Sequence, residues 1–107
     1  MAELQQTVTL TSSNTNYQLS SLLSGSPNLM LSELTITGYP GIDGTGQNSK
    51  DVLIGTSGLS TTNFGAKVAA GQSETFRAGD KGCIDPTQIY VRSAGASQQL
   101  LVNGRTR

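Results

Sequence analysis

Apolar and polar residues alternate along most of this chain, and that repeat limits the folds open to it. In ELQQTVTLT, the apolar residues Leu4, Val8 and Leu10 are separated by polar residues, most of them threonines. A repeat of two matches a β-strand with one buried face, whereas an amphipathic helix needs an apolar repeat of about 3.6 residues. This run therefore predicts a half-buried strand whose outer face is lined by threonine.

Similar runs follow at short intervals. NYQLSSLL repeats the pattern, as does LMLSELTITG, where Met30, Leu34 and Ile36 would share the buried face. DVLIG, QSETFR, QIYVRSA and QQLLVN bring the number of strands to seven, and residues 66–69 would add an eighth. The sequence predicts an all-β, jelly-roll-like antiparallel β-sandwich of seven or eight strands with little or no helix. The one helical turn we expect is at residues 19–23, where the leucine spacing also fits a helix.

The chain length and the glycine-rich stretches indicate how the domain is bounded. A chain of 107 residues fits one domain, so residues 1–107 are predicted to form a single β-sandwich. Residues 1–6 and 103–107 are expected to be short arms that stay mobile or dock onto a neighbour, because residues 1–3 and 103–107 lack apolar anchors. The stretch YPGIDGTGQNSK, from Tyr39 to Lys50, predicts a long exposed loop.

The residue types present exclude most catalytic and metal-binding chemistry. The chain has no histidine and a single cysteine, Cys83, so a Ser-His-Asp triad and a thiolate zinc site are both impossible to assemble. Paired carboxylates for glycoside hydrolysis remain open, although solvation accounts for the acids at strand edges and in loops. Asp43, Asn48 and Asp51 lack the alternating spacing of a calcium loop and are explained by turn formation. We therefore expect no enzyme activity, no cofactor and no metal.

The charge balance bears on the partners. Seven basic and seven acidic residues give a net charge of zero, which provides no field to attract nucleic acid or an anionic membrane. The sequence contains neither an export signal nor an apolar run of about 18 residues. We expect no nucleic-acid or membrane partner, and synthesis in the cytoplasm. A charged fraction of only 13% suits a surface that packs against other protein.

The stretch DVLIGTSGLSTTNFG has two possible interpretations. Residues 55–58, Gly-Thr-Ser-Gly, could form a phosphate-binding loop or a bend at the end of a strand. A phosphate loop leads into a helix and carries a lysine before Ser or Thr, and neither follows here. We therefore predict a bend, with residues 60–65 crossing from sheet to sheet and Phe64 as their anchor in the core.

The second half of the chain supplies a resemblance. The order VLIGTSGLSTTNFG, AAGQSETF and IDPTQIYVRSAGASQQLLV, over residues 51–103, resembles small all-β structural proteins of tailed bacteriophage virions, of the head decoration or cement type. The shared pattern is a strand ending in Ile-Gly, a polar loop, a Gly-x-Ser-Glu turn and an Ile-Tyr-Val strand before a final hairpin. The resemblance implies a non-enzymatic virion protein at the capsid surface, made in the host cytoplasm.

Such a protein would bind the outer surface of the capsid and clamp adjacent major capsid subunits. It would be a homo-oligomer, either a dimer or a trimer, because capsid axes present two-fold or three-fold surfaces. The arms and the long loop supply the candidate capsid or intersubunit contacts, which are Glu3, Gln5, Tyr39, Ile42, Arg105 and Arg107.

Two other classes of function stay open. The first is a tail, spike or carbohydrate-binding recognition module on the same sandwich, with Tyr39 as the aromatic platform that a sugar needs for stacking. The second is a free soluble β-domain with an unrelated binding role.

Overall fold

The computed structural model describes residues 3–24, 30–79 and 82–106, and of Glu3 only the backbone. Within these residues the chain forms eight strands, one short helix and one 3-10 turn. The strands are β1 (Glu3–Leu10), β2 (Tyr17–Gln18), β3 (Leu31–Gly38), β4 (Val52–Gly55), β5 (Ala66–Val68), β6 (Ser73–Arg77), β7 (Tyr90–Ser93) and β8 (Gln98–Thr106); the helix is α1 (Leu19–Leu22) and the 3-10 turn covers Pro86–Gln88.

The strands form two four-stranded sheets. The first sheet has the order β1-β8-β3-β6 and the second has the order β2-β7-β4-β5. Every strand pair is antiparallel: the first strand pairs with the eighth, the second with the seventh, the third with the sixth and the fourth with the fifth. The predicted all-β fold with seven or eight strands is confirmed, as is the helical turn within residues 19–23.

One core joins the inner faces of the two sheets. The alternation predicted for the first strand is observed, since Leu4, Val8 and Leu10 are buried. The fully or nearly fully buried residues from the other elements are Leu19, Leu23, Leu31, Leu34, Ile36, Val52, Ile54, Val68, Val91, Leu100 and Val102. The period-two repeat therefore marks the surfaces that the sheets bury against each other.

A β-bulge changes which residue enters the core at the start of β3. The register between β3 and β8 shifts between Leu31 and Glu33, so Leu31 is buried together with Leu34. Met30 is 39% exposed instead. Its predicted place in the core is wrong, because the extra residue of a bulge interrupts the strict alternation on which the prediction rested.

The prediction of two short arms is also wrong for residues 3–6 and 103–106. Residues 3–6 belong to β1, and residues 103–106 belong to β8. The two segments pair with each other, with Glu3 opposite Arg105 and Gln6 opposite Val102. Backbone pairing between β1 and β8 holds these residues in the sheet, although few of their side chains are apolar. Residues 1, 2 and 107 lie outside the described residues.

Candidate binding face

The outer face of the first sheet is a broad, regular surface formed by four strands. It consists of the odd-numbered residues 5–9 of β1, 99–105 of β8, 33–37 of β3 and 73–77 of β6. The even-numbered residues of the same strands supply seven of the fourteen buried core residues. Leu101 is the single apolar residue among the odd-numbered ones. We call this surface the outer face. Four strands about 4.8 Å apart and about 20 Å of β8 give it an area of about 400 Å².

Strand register arranges the outer face in rows that cross the sheet. One row brings Gln5, Asn103, Thr35 and Thr75 opposite one another in the order of the strands. The hydroxyls of Thr35 and Thr75 lie 3.0 Å apart, and in the next row those of Thr37 and Ser73 lie 2.7 Å apart. Neither row contains a charged residue, and the paired hydroxyls link β3 to β6 across the face.

The end row of the outer face carries alternating charge. Arg105 of β8 lies opposite Glu33 of β3, which lies opposite Arg77 of β6. The guanidinium of Arg77 is 3.8 Å from the carboxylate of Glu33. Both side chains of this pair are more than a third exposed, so their pairing contributes at most about 1 kcal/mol to stability. Charge is thus confined to one end of the face, where two arginines and one glutamate leave a net charge of +1.

The structure brings some of the candidate contact residues onto this surface. Gln5 and Arg105 are exposed on the outer face, and the backbone of Glu3 lies opposite Arg105. Arg107 lies outside the described residues. A shallow depression of about 250 Å³ on the outer face is lined by Gln5, Gln6, Thr7, Leu101 and Asn103.

Sequence reasoning did not select most of the outer face. Thr35, Thr75, Arg77 and Asn103 were not among the candidates, although they occupy the polar positions of alternating strands. The alternation identifies them as outward-facing residues. Grouping them on one surface requires the strand order, which comes from long-range pairing.

Tyr39 and Ile42 belong to the loop of residues 39–50, at one end of the outer face. The loop is largely exposed, as predicted, and Ile42 at its tip is 67% exposed. The backbone N–H of Tyr39 donates to the carbonyl of Gln99, 3.2 Å away. The Tyr39 side chain is half-buried beside Gly46, so it is only partly available as a stacking platform.

Two buried amide side chains fix this loop to β8. The Asn48 amide donates to the Gln99 carbonyl at 2.7 Å and accepts from the Gln99 N–H at 2.8 Å. The side-chain oxygen of Gln98, Oε1, accepts from the backbone N–H groups of Ser49 and Lys50. Asn48, which the sequence offered as a calcium ligand or a turn former, is therefore a structural residue. Within the described ranges, no group of three or more acidic or cysteine side chains is placed to hold a metal ion.

The Gly-Thr-Ser-Gly stretch forms a bend after β4, with a turn at residues 57–58. The residue that anchors the following segment is Leu59, which is 3% exposed, whereas Phe64 is 43% exposed. The prediction that Phe64 enters the core is wrong. The predicted crossing at residues 60–65 is also wrong, because the strands on either side, β4 and β5, pair within one sheet. The turn directs Leu59 inward against Gly55, where an added Cβ would lie 3.0 Å from the Leu59 side chain.

Tyr17, the first residue of β2, has an altered acidity because its hydroxyl bonds to the segment that follows β1. Its hydroxyl lies 3.0 Å from the hydroxyl of Thr11 and accepts from the backbone N–H of Ser12 at 2.9 Å. The bond with the Thr11 side chain, and then the bonds with Ser12, lower the pKa of Tyr17 below its ordinary value of 10.0.

Within the residues described, no helix is long and apolar enough to cross a membrane. Comparison of the chain with protein-family models, with characterised proteins and with solved structures gave no match.

Proposed function

We propose that this chain is a non-enzymatic structural protein of a tailed-phage virion that binds the outer surface of the capsid and clamps adjacent major capsid subunits. The observation that carries the proposal is the outer face, a broad sheet surface with paired hydroxyls and little net charge. A surface of this kind favours contact with another protein over contact with nucleic acid. The resemblance of residues 51–103 to decoration proteins supports the same assignment.

We also propose that the sandwich is a jelly roll. Its support is the strand order. Strands at equal distances from the two ends of the chain are neighbours: β1 with β8, β2 with β7, β3 with β6 and β4 with β5. An eight-stranded double sheet of this class is used by viral capsid domains and by lectins.

The size of the outer face indicates how the protein would bind. A stable interface buries about 800 Å² on each partner, roughly twice the area of the outer face. The adjoining loop with Ile42 extends the surface on one side. We propose that the chain acts as a dimer or trimer, because several copies engaging one shell at once compensate for a small contact in each.

The proposal is tested by cosedimentation of the purified chain with empty shells of the phage that encodes it, prepared without this chain. Asn103 is exposed in the depression of the outer face. We expect Asn103→Glu to weaken shell binding at least tenfold, because it introduces an unpaired charge at the contact. Thr61→Glu is the matched control, with the same charge change at an exposed residue of the β4–β5 turn, and should bind like the natural chain.

Failure of the natural chain to sediment with shells would refute the proposal. Equal binding by the two variants would refute the outer face as the contact surface. A specific signal on a glycan array that Tyr39→Ala abolishes would assign the chain to the recognition modules instead. Light scattering on the purified protein measures the number of copies, and a monomer would remove the oligomer from the proposal.

A further inference from the structure

An apolar cleft opens between the two sheets at the side where β5 and β6 form the sheet edges. Its volume is about 420 Å³, within the range of about 300–1,000 Å³ in which proteins hold ligands. The apolar lining comes from both sheets and from the segment around the 3-10 turn, and its main members are Ile54, Ala66, Phe76, Ile84 and Ile89. The last four of these are only partly buried against the core, so the cleft leaves apolar surface open.

A carboxylate in this cleft has no cation partner among the described residues. Glu74 is opposite Ile36 in the β3–β6 register, so it belongs to the inward row of β6 and lines the cleft. Within residues 3–24, 30–79 and 82–106, its carboxylate forms no ion pair or hydrogen bond. Arg77 also lines the cleft, but its guanidinium pairs with Glu33. The cleft therefore combines apolar walls with one unpaired negative charge.

The edge of β6 beside the cleft offers unpaired backbone groups. The N–H of Gly38 donates to Gln72, and the N–H of Ala78 donates to Ser32, which fixes the alternation of hydrogen-bonded pairs. Glu74 and Phe76 consequently direct their backbone groups toward β3. Ser73, Thr75 and Arg77 direct theirs away from it, where no strand of the described residues pairs with β6.

We propose that this edge binds an extended segment of a partner protein by strand addition, with a lysine or arginine side chain of the segment in the cleft. The backbone of the segment would pair with Ser73, Thr75 and Arg77. The aliphatic part of the basic side chain would lie against Phe76, and its charged end would reach Glu74. Apolar residues two positions before and after the basic residue would fill the remaining cleft, because alternate side chains of a strand point to the same side.

Charge argues against a second copy of this chain as the occupant. Antiparallel pairing of two β6 strands about Thr75 would place Phe76 opposite Glu74 of the other copy. Both Glu74 carboxylates would then enter the shared apolar space without a cation, which is unfavourable. A segment from a partner that brings a cation removes this cost.

The probe is the blocked peptide acetyl-TVTKTVT-amide, which alternates valine and lysine on one side with threonine on the other. Binding is followed by the amide shifts of the ¹⁵N-labelled full chain, at peptide concentrations up to about 5 mM, which detects dissociation constants near 1 mM. We expect saturable shifts concentrated at Ser73, Thr75 and Arg77. The same peptide with norleucine in place of lysine should bind at least fivefold more weakly.

Three variants complete the test. Glu74→Gln should weaken binding of the lysine peptide at least fivefold, while Asp51→Asn, a matched loss of a carboxylate whose partner is Lys67, should change it less than twofold. Thr75→Pro should abolish binding in a chain that still gives a folded spectrum, because the edge N–H of Thr75 does not pair with β3.

Lack of saturable shifts at β6 in the natural chain would overturn the proposal, and so would equal affinity for the lysine and norleucine peptides. Concentration-dependent shifts of the β6 amides without peptide would assign the edge to a second copy and would also overturn it. None of these outcomes depends on shell binding through the outer face.

Discussion

At the scale of single residues, the side chains of Asn48 and Gln98 substitute for backbone pairing. Asn48 offers Gln99 one donor and one acceptor, as a neighbouring strand would, and Gln98 accepts from two backbone N–H groups of the loop. A buried polar group left without a partner costs about 1–3 kcal/mol. The base of the loop is therefore well fixed, and Ile42 at its tip is presented from a defined position.

Tyr17 gives a prediction about pH. Because its pKa is lowered in the folded state, the folded chain releases the phenol proton at a lower pH than the unfolded chain. At a pH between the folded and the unfolded pKa of Tyr17, unfolding therefore takes up a proton. The contribution of Tyr17 to the free energy of unfolding rises as the pH increases through that window toward about 10. Spectrophotometric titration at 295 nm should show a tyrosine component below the ordinary pKa, and Tyr17→Phe should remove it.

Thr11→Val serves as the partner variant for this titration, because it removes the side-chain bond that contributes most to the shift. It should move the Tyr17 component to higher pH without removing it. A titration curve that is the same in the natural chain and in Tyr17→Phe, apart from a uniform loss of amplitude, would contradict the expectation.

At the scale of elements, the period-two repeat was sufficient to predict most of the strands, because burial on one side of a sheet is a local property of the sequence. The repeat did not identify the bulge that places Leu31 in the core in place of Met30. It also did not distinguish Leu59 from Phe64. In a loop, the inward residue is chosen by turn geometry and not by a repeat, so the larger apolar side chain was selected wrongly.

The candidate site was less predictable than the strands. The sequence places Gln5 and Arg105 in short arms that stay mobile or dock onto a neighbour, whereas in the structure they lie on a paired sheet surface. Their neighbours Asn103 and Thr35 come from strands far apart in sequence. Pairing between such distant segments leaves no mark on the composition of either one, so the outer face emerges only from the strand order.

Gly38 at the end of β3 provides a test of packing between elements. Its N–H donates to Gln72 and its carbonyl accepts from Gly71, which brings the segment before β6 directly against it. A Cβ at this position would clash with the backbone carbonyl of Ala69. We expect Gly38→Ala to reduce the free energy of unfolding by about 2–4 kcal/mol in urea denaturation.

Gly79→Ala is the matched control, since a Cβ there meets nothing within 4 Å. It should change the free energy of unfolding by less than about 0.5 kcal/mol. Similar effects of the two substitutions would show that the contact between Gly38 and Ala69 is not a tight one.

At the scale of the whole molecule, the two ends of the chain meet in one sheet. Glu3 and Arg105 are opposite each other, and β8 lies between β1 and β3. The first sheet thus depends on contacts between residues about as far apart in sequence as the chain allows. Folds dominated by such non-local pairing fold slowly, in milliseconds to seconds.

The proximity of the ends predicts that the chain tolerates circular permutation. Joining them through a flexible linker of about four residues and opening the chain between Thr61 and Thr62, in an exposed turn, should keep the free energy of unfolding within about 2 kcal/mol. Circular dichroism and urea denaturation measure the outcome.

A permutant opened between Leu101 and Val102, in the middle of β8, is the control and should fail to fold. If the first permutant failed to fold even with a longer linker, β1 and β8 would not be paired in solution.

The position of β8 also determines when folding can finish during translation. Residues 98–106 are made after all the other strands, yet they occupy an interior place in the first sheet and supply the partner of β1. Until they have left the ribosome, β1 has no neighbour in its sheet, and the outer face lacks the strand that joins β1 to β3. A nascent chain therefore lacks the complete surface proposed for capsid binding until residues 98–106 have been made and can pair with β1 and β3.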